Sequence, residues 1–239
     1  MAEIKKIVFF LFFSLLSAHD SPYSCDSFKD ALDKSKLQAP KSSYDELYSR
    51  KYGDFADYSN KYFYLQDGKY MVFYMCGDHF RSELRFKNIW KVNSGQPKVL
   101  EAEVKLFPLN ERREFTFLQI HADSTLKDKP TINKPLLRLV WYRKLRGKKN
   151  HLWAIIRLND NLLIKSYQKI DLGELPKGFF NVKISVVNSH LLVYINGNKK
   201  VDVKVDYWDK YYNYFKAGVY LQDKGCAKVL FKKLIVKDK

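Results

Sequence analysis

The sequence of 239 residues is poor in glycine, proline and cysteine. Ten glycines and seven prolines are too few for a collagen-like or low-complexity chain. Three cysteines, with no Cys-x-x-Cys or His-x-x-x-His spacing, exclude a disulfide-built scaffold and give no sign of a metal site. Acidic residues are also scarce, with 26 Asp and Glu against 43 Lys and Arg. The resulting net charge of +17 predicts a polyanionic partner or an anionic surface.

The start of the chain has the features of a targeting segment. Two lysines precede an apolar stretch at residues 7–16, and the small residues Ser17 and Ala18 follow. This order is typical of a secretory signal peptide, and the stretch is shorter than the about 20 residues that a membrane-spanning helix needs. We therefore expect a signal peptide at residues 1–18, secretion to the extracellular space or periplasm, and no stable membrane insertion. A retained membrane anchor is the alternative.

Export would place the three cysteines in an oxidising compartment. Because three is an odd number, at most one disulfide can form within the chain, and one thiol is left over. Cys76 and Cys226 each lie at the end of a predicted strand and are candidates for this bond, whereas Cys25 lies in the polar N-terminal stretch. The sequence alone leaves the pairing open.

The rest of the chain has the pattern of an all-β protein. Residues 19–60 are polar without a clear period, so we predict a lead-in that is only partly in the domain, with one helical turn at 27–36. In residues 61–239, short runs rich in β-branched and aromatic residues alternate with turn residues. The predicted strands are 62–65, 70–74, 82–86, 99–106, 115–121, 136–142, 152–158, 162–167, 181–187, 191–195, 199–205, 215–222 and 229–236.

The connections between these strands favour antiparallel pairing. Asn159-Asp160-Asn161 and Asn196-Gly197 are predicted hairpin turns, the second with the signature of a type I′ turn. Long helical segments are lacking between the strands, which argues against a parallel α/β sheet. We predict one domain, a sandwich of two antiparallel sheets.

Three predicted strands place polar side chains on one face, because side chains two residues apart point to the same side of a strand. The three sets are Arg81, Glu83 and Arg85; Gln119 and His121, together with Phe117; and Lys216, Gly218, Tyr220 and Gln222. If the sheet curves, these faces form a concave groove, and Gly218 leaves room for a group to approach the backbone. Each set alone is more typical of a solvated surface than of a functional site.

The three sets together resemble the motifs of the alginate lyases of polysaccharide lyase family 7. The matching segments are Arg81-Ser82-Glu83-Leu84-Arg85, Gln119-Ile120-His121 and Tyr214-Phe215-Lys216-Ala217-Gly218-Val219-Tyr220-Leu221-Gln222, in the order of the family. The resemblance extends over about residues 61–236 and, more loosely, from residue 37; segment 35–40 is only a weak match to the strand with which the family begins. It implies a β-jelly roll with a concave substrate groove, and neither a metal nor an organic cofactor.

The resemblance also implies a role for each matching residue. The catalytic group is Arg81, Gln119, His121 and Tyr220, and the substrate-binding group is Arg85, Glu83, Lys216 and Gln222. Within the second group Glu83 orients the arginines, because a carboxylate repels a polyuronate. The Ile120 variant of the tripeptide is associated in the family with cleavage at guluronate-containing blocks.

These residue types suit β-elimination on a polyuronate. The C5 proton of a uronate is weakly acidic until the neighbouring carboxylate is neutralised, which a guanidinium and the Gln119 amide can do. A neutral His121 can then take the proton. Tyr220 can protonate the departing O4, or take the C5 proton first if nearby cations stabilise its phenolate.

Other interpretations remain open at this stage. The substrate could be another uronan, such as glucuronan, or the protein could be a non-catalytic jelly-roll module that binds acidic polysaccharide. A nucleic-acid or heparin binder is disfavoured, because no basic helix or RNA-binding motif occurs, and we expect a monomer. The basic residues at 138–149 are interpreted as a solvated loop, and the aromatic residues at 207–214 as core or groove rim.

Overall fold

The computed structural model describes residues 19–109, 113–161, 164 and 166–238. The predicted signal peptide at 1–18 therefore lies outside the described residues, as do 162, 163 and 165 of the predicted strand 162–167. In the described part, no helix combines the length and the apolar character that crossing a membrane requires.

The described residues form fourteen strands in two antiparallel seven-stranded sheets, which confirms the predicted jelly-roll sandwich. The elements are α1 Asp26–Asp33, β1 Ser35–Gln38, β2 Phe63–Gln66, β3 Tyr70–Gly77, β4 Arg81–Phe86, β5 Lys98–Leu109, β6 Glu114–Ala122, β7 Pro135–Leu145, β8 Lys148–Arg157, β9 Tyr167–Glu174, β10 Phe180–Val187, β11 His190–Ile195, β12 Asn198–Lys204, β13 Asn213–Leu221 and β14 Gly225–Lys237. The groove sheet has the order β1-β4-β13-β6-β7-β8-β9. The back sheet has the order β12-β11-β10-β5-β14-β3-β2.

Alternation of apolar and polar residues along β5 sets which of its faces lies in the core. In β5, Leu100, Ala102 and Val104 are buried between the sheets, while Glu101 and Glu103 lie on the outer face of the back sheet. Burial of such apolar faces is the main stabilising contribution, at about 25 cal/mol per Å² of apolar surface. The opposite face of the groove sheet carries polar side chains, except for a small apolar cluster of Val140, Trp153 and Ile155 on β7 and β8.

The N-terminal stretch contributes more regular structure than the sequence pattern predicts. In place of one turn at 27–36, α1 has eight residues, and Phe28 and Leu32 are fully buried. The chain then enters β1, which pairs with β4 at the edge of the groove sheet. A four-residue strand is too short to show a period, so its pairing with β4 could not be predicted.

The two predicted turns have different outcomes. Asn196 and Gly197 have φ angles of 49° and 79° and join β11 to β12, which confirms the predicted turn with positive φ at both positions. The prediction at 159–161 is wrong, because β8 ends at Arg157 and β9 begins at Tyr167. The two strands pair, but a longer connection joins them.

A β-bulge in β6 corrects the predicted face of Phe117. Between Thr116 and Leu118, β6 has one residue more than the paired part of β7. At the same level β13 has one residue more than β6, between Ala217 and Tyr220. The extra residue in β6 turns Phe117 into the core, where its ring lies 6.3 Å from that of Phe180 in the back sheet. Gln119 and His121 keep the predicted face, and Thr116 joins them on it.

The structure pairs Cys76 with Cys226 in a disulfide, the pairing that the sequence left open. The two residues are register partners on β3 and β14, so the bond links neighbouring strands of the back sheet. The remaining thiol belongs to Cys25, which is partly buried before α1.

Candidate active site

The strand register aligns five polar side chains in a line across the groove sheet. The line runs over β1, β4, β13, β6 and β7 and consists of Lys36, Arg85, Lys216, Gln119 and Arg138. We call it the cationic row, since four of its members are cations. Strands lie about 4.8 Å apart, so the row spans about 19 Å.

His121 and Tyr220 lie on opposite sides of the cationic row. His121 is two residues past Gln119 on β6, and Tyr220 is four residues past Lys216 on β13. Because β6 and β13 are antiparallel, these two steps lead in opposite directions along the sheet. An imidazole and a phenol therefore flank a line of positive charge.

The groove contains a cavity of about 520 Å³ at this point. Seven of the eight predicted site residues line it, namely Arg81, Arg85, Gln119, His121, Lys216, Tyr220 and Gln222. The eighth, Glu83, is fully buried and lies beneath the cavity, so the structure does not bring its carboxylate to the surface of the groove. Its predicted role of orienting the two arginines stays a prediction, since Arg81 contacts Glu83 whereas Arg85 pairs with Asp123.

Glu83 holds the base of the site together through three contacts. Its carboxylate is ion-paired with the Lys216 ammonium, accepts a hydrogen bond from the Gln119 amide, and lies 3.5 Å from Arg81 Nη1. Lys216 and Gln119 are each only 2% exposed. A buried carboxylate is stable only when it is paired in this way, and in return it fixes the orientation of all three partners.

The Arg81 guanidinium also lies against Tyr220. Its Cζ is 4.4 Å from the centroid of the Tyr220 ring, within the range of a cation–π contact. The two residues are register partners on β4 and β13. The contact fixes the ring from one side and places a positive charge next to the phenol.

The structure determines which nitrogen of His121 is free. His121 Nδ1 lies 2.8 Å from the Ala122 carbonyl oxygen, which can only accept a hydrogen bond. Nδ1 must therefore carry a proton, and Nε2 is left with a lone pair. Burial, reinforced by the Lys216 ammonium, lowers the pKa of His121 to about 3, so the ring is neutral and can accept a proton.

A second network supports His121 and Arg85. The Tyr214 ring stacks on the His121 ring at 5.6 Å, and its other contact is the Arg85 guanidinium, 4.0 Å from the ring centroid. Arg85 Nη2 donates a hydrogen bond of 2.9 Å to Asp123 Oδ2. Asp123 in turn accepts hydrogen bonds from the backbone N–H and the hydroxyl of Thr125. The ring of His121 is thus held in place by a chain of packed side chains.

The sequence predicts that Gly218 leaves room for a group to approach the backbone, and the structure shows which group this is. Its φ of +143° is unfavourable for other residues, and a Cβ there would overlap with the Ser82 carbonyl oxygen and lie 2.8 Å from Glu83 Cα. The group that approaches this glycine is therefore the backbone of β4. Gly218 also lies where the register between β13 and β6 shifts, between Ala217 and Tyr220.

Ten further residues line the cavity, and three of them have large side chains that the sequence did not assign to the site. Arg138 belongs to the region interpreted as a solvated basic loop, Tyr214 to the aromatic stretch interpreted as core or rim, and Tyr167 to the misplaced strand. Arg138 shares the alternation pattern of β7, which was the available signal. No sequence signal pointed to Tyr167 as a groove residue, because the connection before it was wrongly predicted.

The charged groups of the site predict an asymmetric dependence of activity on pH. Burial, opposed by the Glu83 carboxylate, lowers the pKa of Lys216 to about 8, so the folded protein loses this cation as the pH rises through that value. We expect kcat/KM on the substrate to fall above about pH 8 and to be level between about pH 5 and 7, because His121 is already neutral there. An acid limb near the ordinary pKa of histidine would contradict the assignment.

The free energy of unfolding, in contrast, is expected to decrease at acid pH. The pKa of His121 is lowered to about 3 in the folded state, so between that value and its ordinary pKa the unfolded state binds the additional proton. Folding is therefore favoured less as the pH falls below about 6.5. Urea unfolding at each pH of the activity profile measures this contribution and separates loss of activity from loss of fold.

Comparison with known proteins agrees with the sequence motifs. A family model described as alginate lyase matches residues 31–238. An alginate lyase of Photobacterium sp. (strain ATCC 43367) is 36% identical over 200 residues, which are 71% of this chain and 69% of that protein. The solved structure of alginate lyase AlyC3 is 28% identical, with a TM-score of 0.81 over 92% of this chain and 96% of its own.

Further solved structures extend the comparison. AlyC3 has also been solved in complex with dimannuronate. The family 7 alginate lyase A1-II′ has the same fold, with a TM-score of 0.71 at 23% identity over 87% of this chain and 95% of its own. Fold and family match together place the chain among the jelly-roll polysaccharide lyases. It belongs to polysaccharide lyase family 7, the alginate lyases, as its three motifs predicted.

Proposed function

We propose that this polysaccharide lyase is a secreted monomer that cleaves alginate by β-elimination, with preference for guluronate-containing blocks. The observation that carries the proposal is the position of His121 and Tyr220 on the two sides of the cationic row. A uronate bound on the row has one flank toward the imidazole and the other toward the phenol. Ile120, the basis of the proposed block preference, is buried in the core and acts through the positions of Gln119 and His121.

The proposed reaction begins with neutralisation of the substrate carboxylate. Arg85 is already paired with Asp123 at 2.9 Å, whereas the acidic contact of Arg81 is the longer one of 3.5 Å to Glu83. We therefore assign the carboxylate to Arg81, assisted by the second N–H of the Gln119 amide. Arg85, Lys216 and Gln222 bind the adjoining sugars.

The chemical step then needs one base and one acid. His121 Nε2 takes the C5 proton, the electron pair of that C–H bond forms the C4–C5 double bond, and the C4–O4 bond breaks. Tyr220 Oη gives its proton to the leaving O4. The departing oxygen stays on C1 of the neighbouring sugar and becomes the hydroxyl of a new reducing end. The other product carries an unsaturated uronate at its non-reducing end. Solvent then removes the proton from His121 and restores that of Tyr220.

Secretion is supported by two independent features. Residues 1–18 have the pattern of a signal peptide, and the Cys76–Cys226 bond is of a kind that persists in oxidising compartments. Expression of the full-length gene in a secreting host, followed by mass spectrometry of the exported protein, is expected to show a start at residue 19 or within a few residues of it.

The activity is tested with separate polyguluronate, polymannuronate and glucuronan substrates. We expect ultraviolet absorbance from unsaturated uronate with both alginate fractions, faster with polyguluronate, and a KM that rises with ionic strength because a cationic groove attracts a polyanion. Faster cleavage of polymannuronate would overturn the block preference alone. Binding without absorbance on any polymer would instead support a non-catalytic polysaccharide-binding module.

A further inference from the structure

The groove continues past the β1 edge of its sheet into a second cavity of about 370 Å³. We call this cavity the tyrosine pocket; its lining includes Lys36, Gln38, Ser42, Tyr44, Lys51 and Tyr52. Gln38 and Ser42 also line the cavity that contains His121, so the two spaces adjoin. Lys36 is the end of the cationic row and lies in the tyrosine pocket as well.

The side chains of the tyrosine pocket suit a sugar acid. Tyr44 and Tyr52 are 54% and 37% exposed, which is high for large aromatic side chains that form part of a concave surface. Each has an ammonium near its ring, with Lys51 Nζ 6.0 Å from the Tyr44 centroid and Lys36 Nζ 5.2 Å from that of Tyr52. Aromatic rings can pack against the faces of sugar rings, and ammonium groups pair with carboxylates. Of the described residues that line the pocket, none is acidic.

The tyrosine pocket is already formed without a ligand. Leu37 and Arg50 exchange two backbone hydrogen bonds of 3.1 Å, which attach the loop after β1 to the strand itself. The Arg50 guanidinium lies 3.3 Å from the centroid of the Tyr58 ring, and Ser49 Oγ donates a hydrogen bond of 2.9 Å to the Ala39 carbonyl oxygen. A rigid pocket binds with little loss of conformational entropy.

The distance of the tyrosine pocket from the reaction centre determines which substrates can reach it. Lys36 on β1 is two strands away from Lys216 on β13, about 10 Å along the cationic row. Tyr44 and Tyr52 lie on the segment after β1, and neither of them lines the cavity that contains His121. A short oligosaccharide held at His121 and Tyr220 therefore ends before the pocket, whereas a longer chain extends into it.

The geometry points to the tyrosine pocket as a distal binding site for a uronate residue of the polymer being cleaved, so that Tyr44 and Tyr52 set a preference for long chains. This inference rests on the proposed lyase activity and adds a chain-length preference to it.

The test is the double variant Tyr44→Ala/Tyr52→Ala, assayed on an alginate trisaccharide, a hexasaccharide and polymer. We expect KM to rise about tenfold for the hexasaccharide and the polymer, because each lost aromatic contact is worth a few-fold in affinity, while kcat stays within about twofold. The KM for the trisaccharide is expected to be unchanged. Leu47→Ala is the matched control, since Leu47 is 73% exposed on the same loop and does not line the pocket.

A binding measurement separates failure of the pocket from failure of the proposed activity. Calorimetric titration measures the affinity for the hexasaccharide in the absence of turnover. The two proteins compared are His121→Ala and His121→Ala combined with Tyr44→Ala/Tyr52→Ala. Equal affinities, or equal changes of KM for the trisaccharide and hexasaccharide, would overturn the distal site even if the wild type is a lyase. Absence of unsaturated product from the wild type would overturn the proposed activity, while a loss of hexasaccharide affinity in the double variant would still support the pocket.

Discussion

Tyr220→Phe is expected to lower kcat on alginate by about 10³-fold, because it removes the only atom that can protonate the departing O4 in the proposed mechanism. The ring remains, and with it the contact of 4.4 Å with the Arg81 guanidinium, so the shape of the groove is kept. The initial rate of absorbance increase from unsaturated uronate measures the loss. The KM is expected to change much less, since the missing proton matters most in the transition state.

Tyr214→Phe provides the matched control for this experiment. It also removes one phenol oxygen in the groove, but that oxygen is 3.4 Å from His121 Nδ1, a long contact, and the stacked ring stays. We expect a loss of about fivefold, as for one weak hydrogen bond. If the two variants lose activity equally, Tyr220 has no special role as acid, and the mechanism must be revised.

Glu83→Gln is expected to lower the free energy of unfolding by about 3–5 kcal/mol, because it leaves the charge of Lys216 buried without a counter-ion. Lys216 is only 2% exposed, so solvent screens little of its charge. The shape of the side chain is conserved, so the effect measures charge rather than packing. Equilibrium unfolding in urea, with the slope compared between variants, gives the difference.

Two further variants show whether the effect comes from burial of the pair. Glu103→Gln breaks the exposed pair of Glu103 with Lys232 and is expected to cost less than about 1 kcal/mol. Adding Lys216→Met to Glu83→Gln is expected to restore most of the stability, since an apolar side chain can replace the buried cation, but not the activity. A Glu83→Gln protein as stable as Glu103→Gln would show that the buried pair contributes little.

The site could be predicted from sequence because its residues follow the simplest rule of strand geometry. Arg81 and Arg85 on one strand, and Lys216 and Tyr220 on another, lie an even number of residues apart, so they share a face whatever the rest of the fold. The motif resemblance supplied the missing information that these faces belong to neighbouring strands. The register that aligns Arg85 with Lys216 depends on long-range pairing and is visible only in the structure.

The errors arose where a local pattern is interrupted. The extra residue in β6 relative to β7 reverses the face of Phe117, and a bulge has no signature in an apolar run. The Asn-rich sequence at 159–161 predicts a tight turn, but the next strand begins only at Tyr167, so the connection after β8 is longer. The pairing of β1 with β4 depends on four residues whose own sequence is polar, and the tyrosine pocket that follows from it was therefore missed.

The alignment of the cationic row by interstrand hydrogen bonding has a consequence for altering this enzyme. Row members are fixed by the pairing of one strand with the next, whereas the segment that carries Tyr44 and Tyr52 is joined to the sheet at its margin. Loops of different length could therefore be grafted after β1 without displacing the reacting groups. The size of the oligosaccharides released should then be adjustable separately from the rate of bond cleavage.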